Sequence, residues 1–154
     1  MRVAAMLLAV AAPAAARETI GVYGGWAAFS DASPRRCFAI AQPVDPAQRS
    51  GFLSVAAWPG QDIRNQLHVR LSRARIGTAR VTLSVGERRF DLVAGDADAW
   101  APDARTDAAI VAAMRSSRSL SVEALGRDGS PFADTYALAG AATAIDAAAL
   151  ACRR

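Results

Sequence analysis

The sequence predicts a mainly β domain, an antiparallel β-sandwich with one short internal helix and one C-terminal helix. Three observations carry that prediction. Apolar and polar residues alternate with period two along most of the chain, Gly and Pro punctuate the alternating stretches, and only two stretches have helical spacing.

Residues 20–29 read as one extended segment, in which Gly24-Gly25 lets the strand bend or lets Trp26 lie over backbone. Residues 37–41 and 52–58 are further strands, separated by Ser33-Pro34 and by the segment from Pro43 to Pro46. Leu67, Val69 and Leu71 alternate with His68, Arg70 and Ser72, which marks a strand with one wet face. Val81, Leu83 and Val85 alternate with Arg80, Thr82 and Ser84; a break at Gly86-Glu87 leads to Phe90 and Leu92, so 80–93 reads as a hairpin. The stretch "GDADAW" (95–100) reads as a polar turn.

Residues 103–116 place Asp107, Ile110, Val111 and Met114 at helical spacing. Asp103 and Thr106 are candidate caps, and Arg115 and Arg118 suit the negative C-terminal end. Leu120, Val122 and Ala124 alternate again, and Asp128-Gly129 turns the chain into a strand over 132–138. From Ala141 onward Ala142, Ile145, Ala149 and Cys152 share a face at 100° per residue, while Thr143 and Asp146 face away. A narrow alanine face lets this helix lie close to a sheet, where Cys152 reaches a strand-borne Cys37.

The start of the chain sets the expected compartment. Met1-Arg2 is followed by apolar residues and by Pro13-Ala14-Ala15-Ala16, the layout of a secretory signal peptide cleaved after Ala16. The uncharged stretch 3–16 has 14 residues, short of the roughly 20 that span a bilayer. No later segment is long and apolar enough, so residues 17–154 are expected to form a single domain with no transmembrane anchor. All 18 basic residues are arginine; with the alanine excess this reads as the coding bias of a high-GC bacterium. The expected location is therefore periplasmic or secreted. In that setting two cysteines read as one disulfide, Cys37 to Cys152, with two separately buried thiols as the alternative.

The order of these pieces resembles the invasion-associated locus B family of small exported bacterial proteins. The matching phrases are "GVYGGWAAFS", "CFAIAQ", "LHVRLSR", "DAAIVAAMRSSRSLSVEA" and "GSPFADTYALAGAATAIDAAALAC". The resemblance implies an immunoglobulin-like sandwich and an envelope or secreted role, and it brings no catalytic residues with it. One departure stands out. Members of that family commonly carry a cysteine just after the tryptophan, paired with the next cysteine, whereas Ala27-Ala28-Phe29-Ser30 follows Trp26 here.

Motifs for chemistry are sparse. His68 is the sole histidine, is expected to be solvated, and has no Gly-x-Ser-x-Gly elbow to serve. With both cysteines expected in a disulfide, no transition-metal ligand cluster is expected. Asp96 and Asp98 lack the remaining positions of a calcium loop, and "GVYGG" lacks the Walker lysine and the dinucleotide glycine spacing. Trp26, Trp58 and Trp100 suit core or strand-end packing, with a ligand platform as the alternative.

Charge is the sharper feature. Between Arg64 and Phe90 seven arginines face one acid, Glu87, whereas 91–107 carries five aspartates against Arg105. Arg70 and Arg80 fall on the outward parity of strands expected to be neighbours, and with Arg73 and Arg88, near the connections, they are the candidate face for an anionic partner; the alternative is a surface neutralised by the chain's own aspartates. Without its first 16 residues the chain has 17 arginines against 14 acids, a net +3, too mild to demand nucleic acid. The sequence thus points to an exported, non-enzymatic envelope binding or interaction module without a cofactor. Its partner would be an envelope protein or an anionic envelope polymer. A periplasmic inhibitor or chaperone-like partner of an envelope enzyme is the alternative.

Overall fold

The computed structural model describes residues 16–153; apart from Ala16, the expected signal segment lies outside the described residues. The strands are β1 (Arg17–Tyr23), β2 (Trp26–Ala32), β3 (Arg35–Ala41), β4 (Phe52–Trp58), β5 (Ile63–Arg70), β6 (Val81–Val85), β7 (Arg88–Ala94), β8 (Asp98–Trp100), β9 (Ser119–Leu125) and β10 (Pro131–Ala137). Helix α1 (Ala104–Arg115) lies between β8 and β9, and α2 (Ala141–Ala151) follows β10. The expected mainly β class, with an internal and a C-terminal helix, is what forms.

All pairings are antiparallel, in the order β1-β2-β3-β4-β5-β8-β7-β6-β9-β10. The ten strands form one continuous ladder, and the two layers of this sandwich-like fold are its two halves, curled over a shared core. That core joins Trp26, Leu53, Leu67 and Val69 of the first half to Leu83, Val85, Val122 and Tyr136 of the second. The curl brings the last strand back to the first layer. Along the outer edge of β10 the carbonyls of Ala133, Thr135 and Ala137 accept from Gln48 Nε2 (2.9 Å), Val44 N–H (2.8 Å) and Trp26 Nε1 (2.9 Å). A sheet edge that would otherwise invite another chain is thereby partly filled.

Several expectations are corrected. Residues 20–29 are not one strand: Gly24-Gly25 is the two-residue turn of a hairpin in which Tyr23 opposes Trp26. Gly24 (φ 58°) and Gly140 (φ 88°) both have left-handed backbone and lie against each other's chain segments. A Cβ on Gly24 would stand 2.4 Å from the Ala139 carbonyl oxygen, and one on Gly140 would stand 1.9 Å from that of Tyr23. Only the absence of a side chain permits this approach. "GDADAW" is a turn only in part, because Asp98–Trp100 forms β8 between β5 and β7. β5 and β6, expected as neighbours, are consequently separated by two strands.

Helix α1 is capped as expected, the Asp103 side chain accepting from the Thr106 N–H at 2.7 Å. Helix α2 packs on β1 to β4, but its buried face is Ala141, Ala144, Ile145 and Ala148 rather than Ala142, Ile145, Ala149 and Cys152. Ile145 lies in both faces; the alanines on either side of it differ. Cys152 closes the helix and is disulfide-bonded to the wholly buried Cys37, with Cα atoms 5.8 Å apart and a sequence separation of 115. A loop of that length stabilises the fold by about 4–5 kcal/mol in the chain-entropy picture, useful to a helix that buries one large side chain.

Candidate interaction face

Alternation places Trp26, Cys37, Leu53, Leu67 and Ala99 toward the core, so Phe29, Phe38, Phe52, Trp58, His68 and Trp100 project from the opposite, outer face of the first half-sheet. Two clusters organise that face.

The first gathers on β1 to β4. Arg17 grips Asp31 in a fork, Nε to Oδ1 at 2.7 Å and Nη2 to Oδ2 at 3.1 Å, while Arg36 Nη2 donates to the same Oδ2 at 2.7 Å. The Arg36 guanidinium lies 4.3 Å from the Phe38 ring centre and 5.1 Å from that of Trp58. Arg17 lies 5.1 Å from the Phe38 ring centre. Two cations against one anion leave this cluster positive. Hydrogen bonding from Arg17, then from Arg36, holds the Asp31 carboxyl below the usual aspartate range. Arg17, Arg36, Asp31 and Trp58, with cis Ser33-Pro34, line a cleft of about 400 Å³. A guanidinium held on an aromatic ring is oriented in advance, and such arginines suit carboxylate or phosphate groups.

The second cluster sits where β5 meets β8. His68 Nε2 and Asp98 Oδ1 are 2.8 Å apart, and the other carboxylate oxygen accepts from Arg70 Nη1. The imidazole stacks on Trp100 (centroids 5.2 Å, planes 6° apart) and meets Phe52 edge-on at 5.1 Å. His68 was expected to be solvated; its side chain is 28% exposed and held on three sides. Ser54 lies opposite it in register, so serine, histidine and aspartate are neighbours. Among the described residues, however, a hydrogen bond joins only the histidine and aspartate of the three. The ring is a packed element of the face.

The four arginines singled out from sequence are not brought together. Arg70 lies on the outer face, paired with Asp98. Arg80 stands just before β6, 3.3 Å from Asp91. Arg73 lies 4.7 Å from the ring centre of the buried Phe132. Arg88 shares the inward parity of Phe90 and Leu92 and lies 4.8 Å from the Phe90 ring centre, at the rim of the core. Neighbouring arginines also turn to the chain's own acceptors: Arg127 pairs with Asp96 at 2.7 Å, and Arg75 donates to the carbonyls of Ala79, Ala94 and Gly95. The Arg17–Asp31–Arg36 cluster was missed because one strand was expected over 20–29, which hides the pairing of β1 with β2. The outward parity of Phe29 with Asp31, and of Arg36 with Phe38, is the signal that a hairpin reading would have used. Trp26 is core, while Trp58 and Trp100 close their strands on the outer face.

These features define a mainly β, sandwich-like protein with a disulfide-fastened C-terminal helix and an outer face of arginines over aromatic rings. The same fold is seen in the crystal structure of invasion-associated protein B from Bartonella henselae. The two superpose with a TM-score of 0.67 at 18% identity, over 89% of this chain and 99% of that one. The chain is thus similar in fold to that protein, as the quoted phrases implied. No family model matches the chain, and no curated protein matches it in sequence. Among the described residues no helix is long and apolar enough to cross a membrane.

Proposed function

We propose that this protein is an exported binding module of a bacterial envelope, engaging anionic partners through its outer sheet face and carrying out no reaction itself. The observation behind this reading is the Arg17–Asp31–Arg36 cluster, in which guanidinium groups are held on aromatic rings beside a cleft. Side chains ordered before binding lose less entropy on binding, and the excess cation favours carboxylate or phosphate groups on the partner. Arg70 stands on the same outer face, paired with Asp98; Arg80, beside Asp91 at the start of β6, lies apart from it and enters the test with Arg70. Export is part of the proposal and rests on residues 1–16.

Titration of the mature protein with purified lipopolysaccharide at rising salt tests the face. Exposed charges act over about 8 Å at physiological ionic strength, so binding is expected to weaken clearly with salt. Arg36→Ser, and separately the Arg70→Ser/Arg80→Ser pair, should reduce it. Binding indifferent to salt and to all three substitutions would remove the reading. Mass spectrometry of the native protein should show a chain starting at or near Arg17; a full-length cytoplasmic species as the main form would refute export.

A further inference from the structure

On the side of the molecule where α2 ends, the chain builds a second concavity unrelated to the arginine–aromatic face. A groove of about 470 Å³ runs between the C-terminal half of α2 and the β4–β5 connection, within the range of small-molecule sites. Its floor is apolar, made by Ala57, Ile63, Ile145 and Ala149, and it closes on Cys152 of the disulfide. Charged groups stand around it. Arg115 and Asp146 saturate each other in a fork of 2.6 and 3.1 Å that joins α1 to α2. Arg64 is left with a loose, solvent-exposed contact of 3.8 Å to Asp62, and Arg153 has no ion pair among the described residues.

The backbone is shaped to line this groove. Neighbouring strand residues ordinarily point to opposite sides, yet Asp62, Ile63, Arg64 and Asn65 all contribute to the lining. This follows from a register shift after Ala56 and from left-handed backbone at Asp62 (φ 53°) and Asn65 (φ 56°). These are the two non-glycine residues with positive φ among the described residues, and both fall in this one lining. Bulges and left-handed residues re-aim side chains at a cost, and they concentrate where that aim is used.

We propose that this groove binds a small amphipathic anion. Its apolar body lies on the Ala57–Ile63–Ile145–Ala149 floor, and its carboxylate or phosphate head meets Arg64 and Arg153. The proposal stands apart from the outer-face reading, since it shares no residue with it.

Nuclear magnetic resonance titration of the mature protein with octanoate, octyl phosphate and uncharged octanol tests it. Both anions should shift the amides of 57–65 and 145–153 in a saturable, one-to-one manner, and octanol should bind at least about tenfold more weakly, the loss of one charge-assisted contact. Arg64→Gln with Arg153→Gln should weaken both anions by about tenfold or more while leaving the melting temperature in place. Ala149→Phe, checked for an otherwise native spectrum, should block all three by filling the floor; if it fails to fold, Ile63→Ser serves instead and should weaken all three. Preferential binding of one anion would assign the head as carboxylate or phosphate within the proposal. Equal binding of octanol, shifts located elsewhere, or no saturable shift with any probe would overturn it.

Discussion

The carboxylate of Asp107, on the first turn of α1, accepts the backbone N–H of Leu67 in β5 at 2.8 Å. β8 is short and pairs with β5 only over His68 to Arg70, so the preceding stretch of β5 lacks a strand on that side. The helix supplies the missing acceptor through one side chain. A matching bond lies beyond the far end of the strand, where wholly buried Asp134 accepts from the Ser72 N–H at 2.7 Å and from the Ser72 hydroxyl.

Asp107→Ala should therefore destabilise the protein by about 1–3 kcal/mol, the cost of a buried donor left unpaired, measured by urea unfolding. Burial is the larger influence on this carboxyl and pushes its pKa up, outweighing the Leu67 hydrogen bond. For an acid with a raised folded pKa, the titration-linked stability is present below the unfolded value of about 3.9. It is lost as pH rises through the folded value. The penalty of Asp107→Ala should accordingly be larger on the acid side of that window than at neutral pH.

Asp31 titrates in the opposite sense. Its folded pKa is lowered, first by hydrogen bonding from Arg17, so its contribution is present above the unfolded value and lost as pH falls through the folded one. Asp31→Asn should remove that contribution above the unfolded value of about 3.9, neutral pH included, and flatten the acid limb of the stability-versus-pH curve so that variant and parent converge at low pH, a modest effect because the cluster is near the surface.

Cys152→Ser should lower stability by about 2–5 kcal/mol, the usual loss for a native bridge in a small secreted domain. The bridge itself is checked by thiol labelling of the unfolded, unreduced protein. Two reactive thiols per chain would contradict it.

Gly140→Ala should cost more than about 2 kcal/mol, because left-handed backbone is strained for alanine and the new Cβ meets the Tyr23 carbonyl oxygen at 1.9 Å. Gly129→Ala is the control. It has a positive φ of 77° but open space around its Cβ position, so only the backbone penalty, about 1–2 kcal/mol, should appear. Equal losses would mean that the β1–β2 turn does not rest on the start of α2.

The strands at 81–85, 119–125 and 131–137, the α1 cap at Asp103 and the two helices were legible in the sequence, because local periodicity and capping chemistry are carried by adjacent residues. Alternation also reports which side of a strand is wet, so the outward positions of His68 and Arg70 could be read directly. It does not report which strand lies alongside. The tertiary fold decided that β8 and β7 stand between β5 and β6, and so separated arginines that had been expected on neighbouring strands. It also chose the buried face of α2, where alanine on nearly every side leaves the periodic signal weak and contact with β1 to β4 makes the selection. The acceptor for Leu67, the closing of β10's edge by Trp26 and Val44, and the grip of Arg17 and Arg36 on Asp31 all join residues from separate elements. Such bonds arise where backbone donors or buried charges find no nearer partner, and a local pattern holds no record of that need.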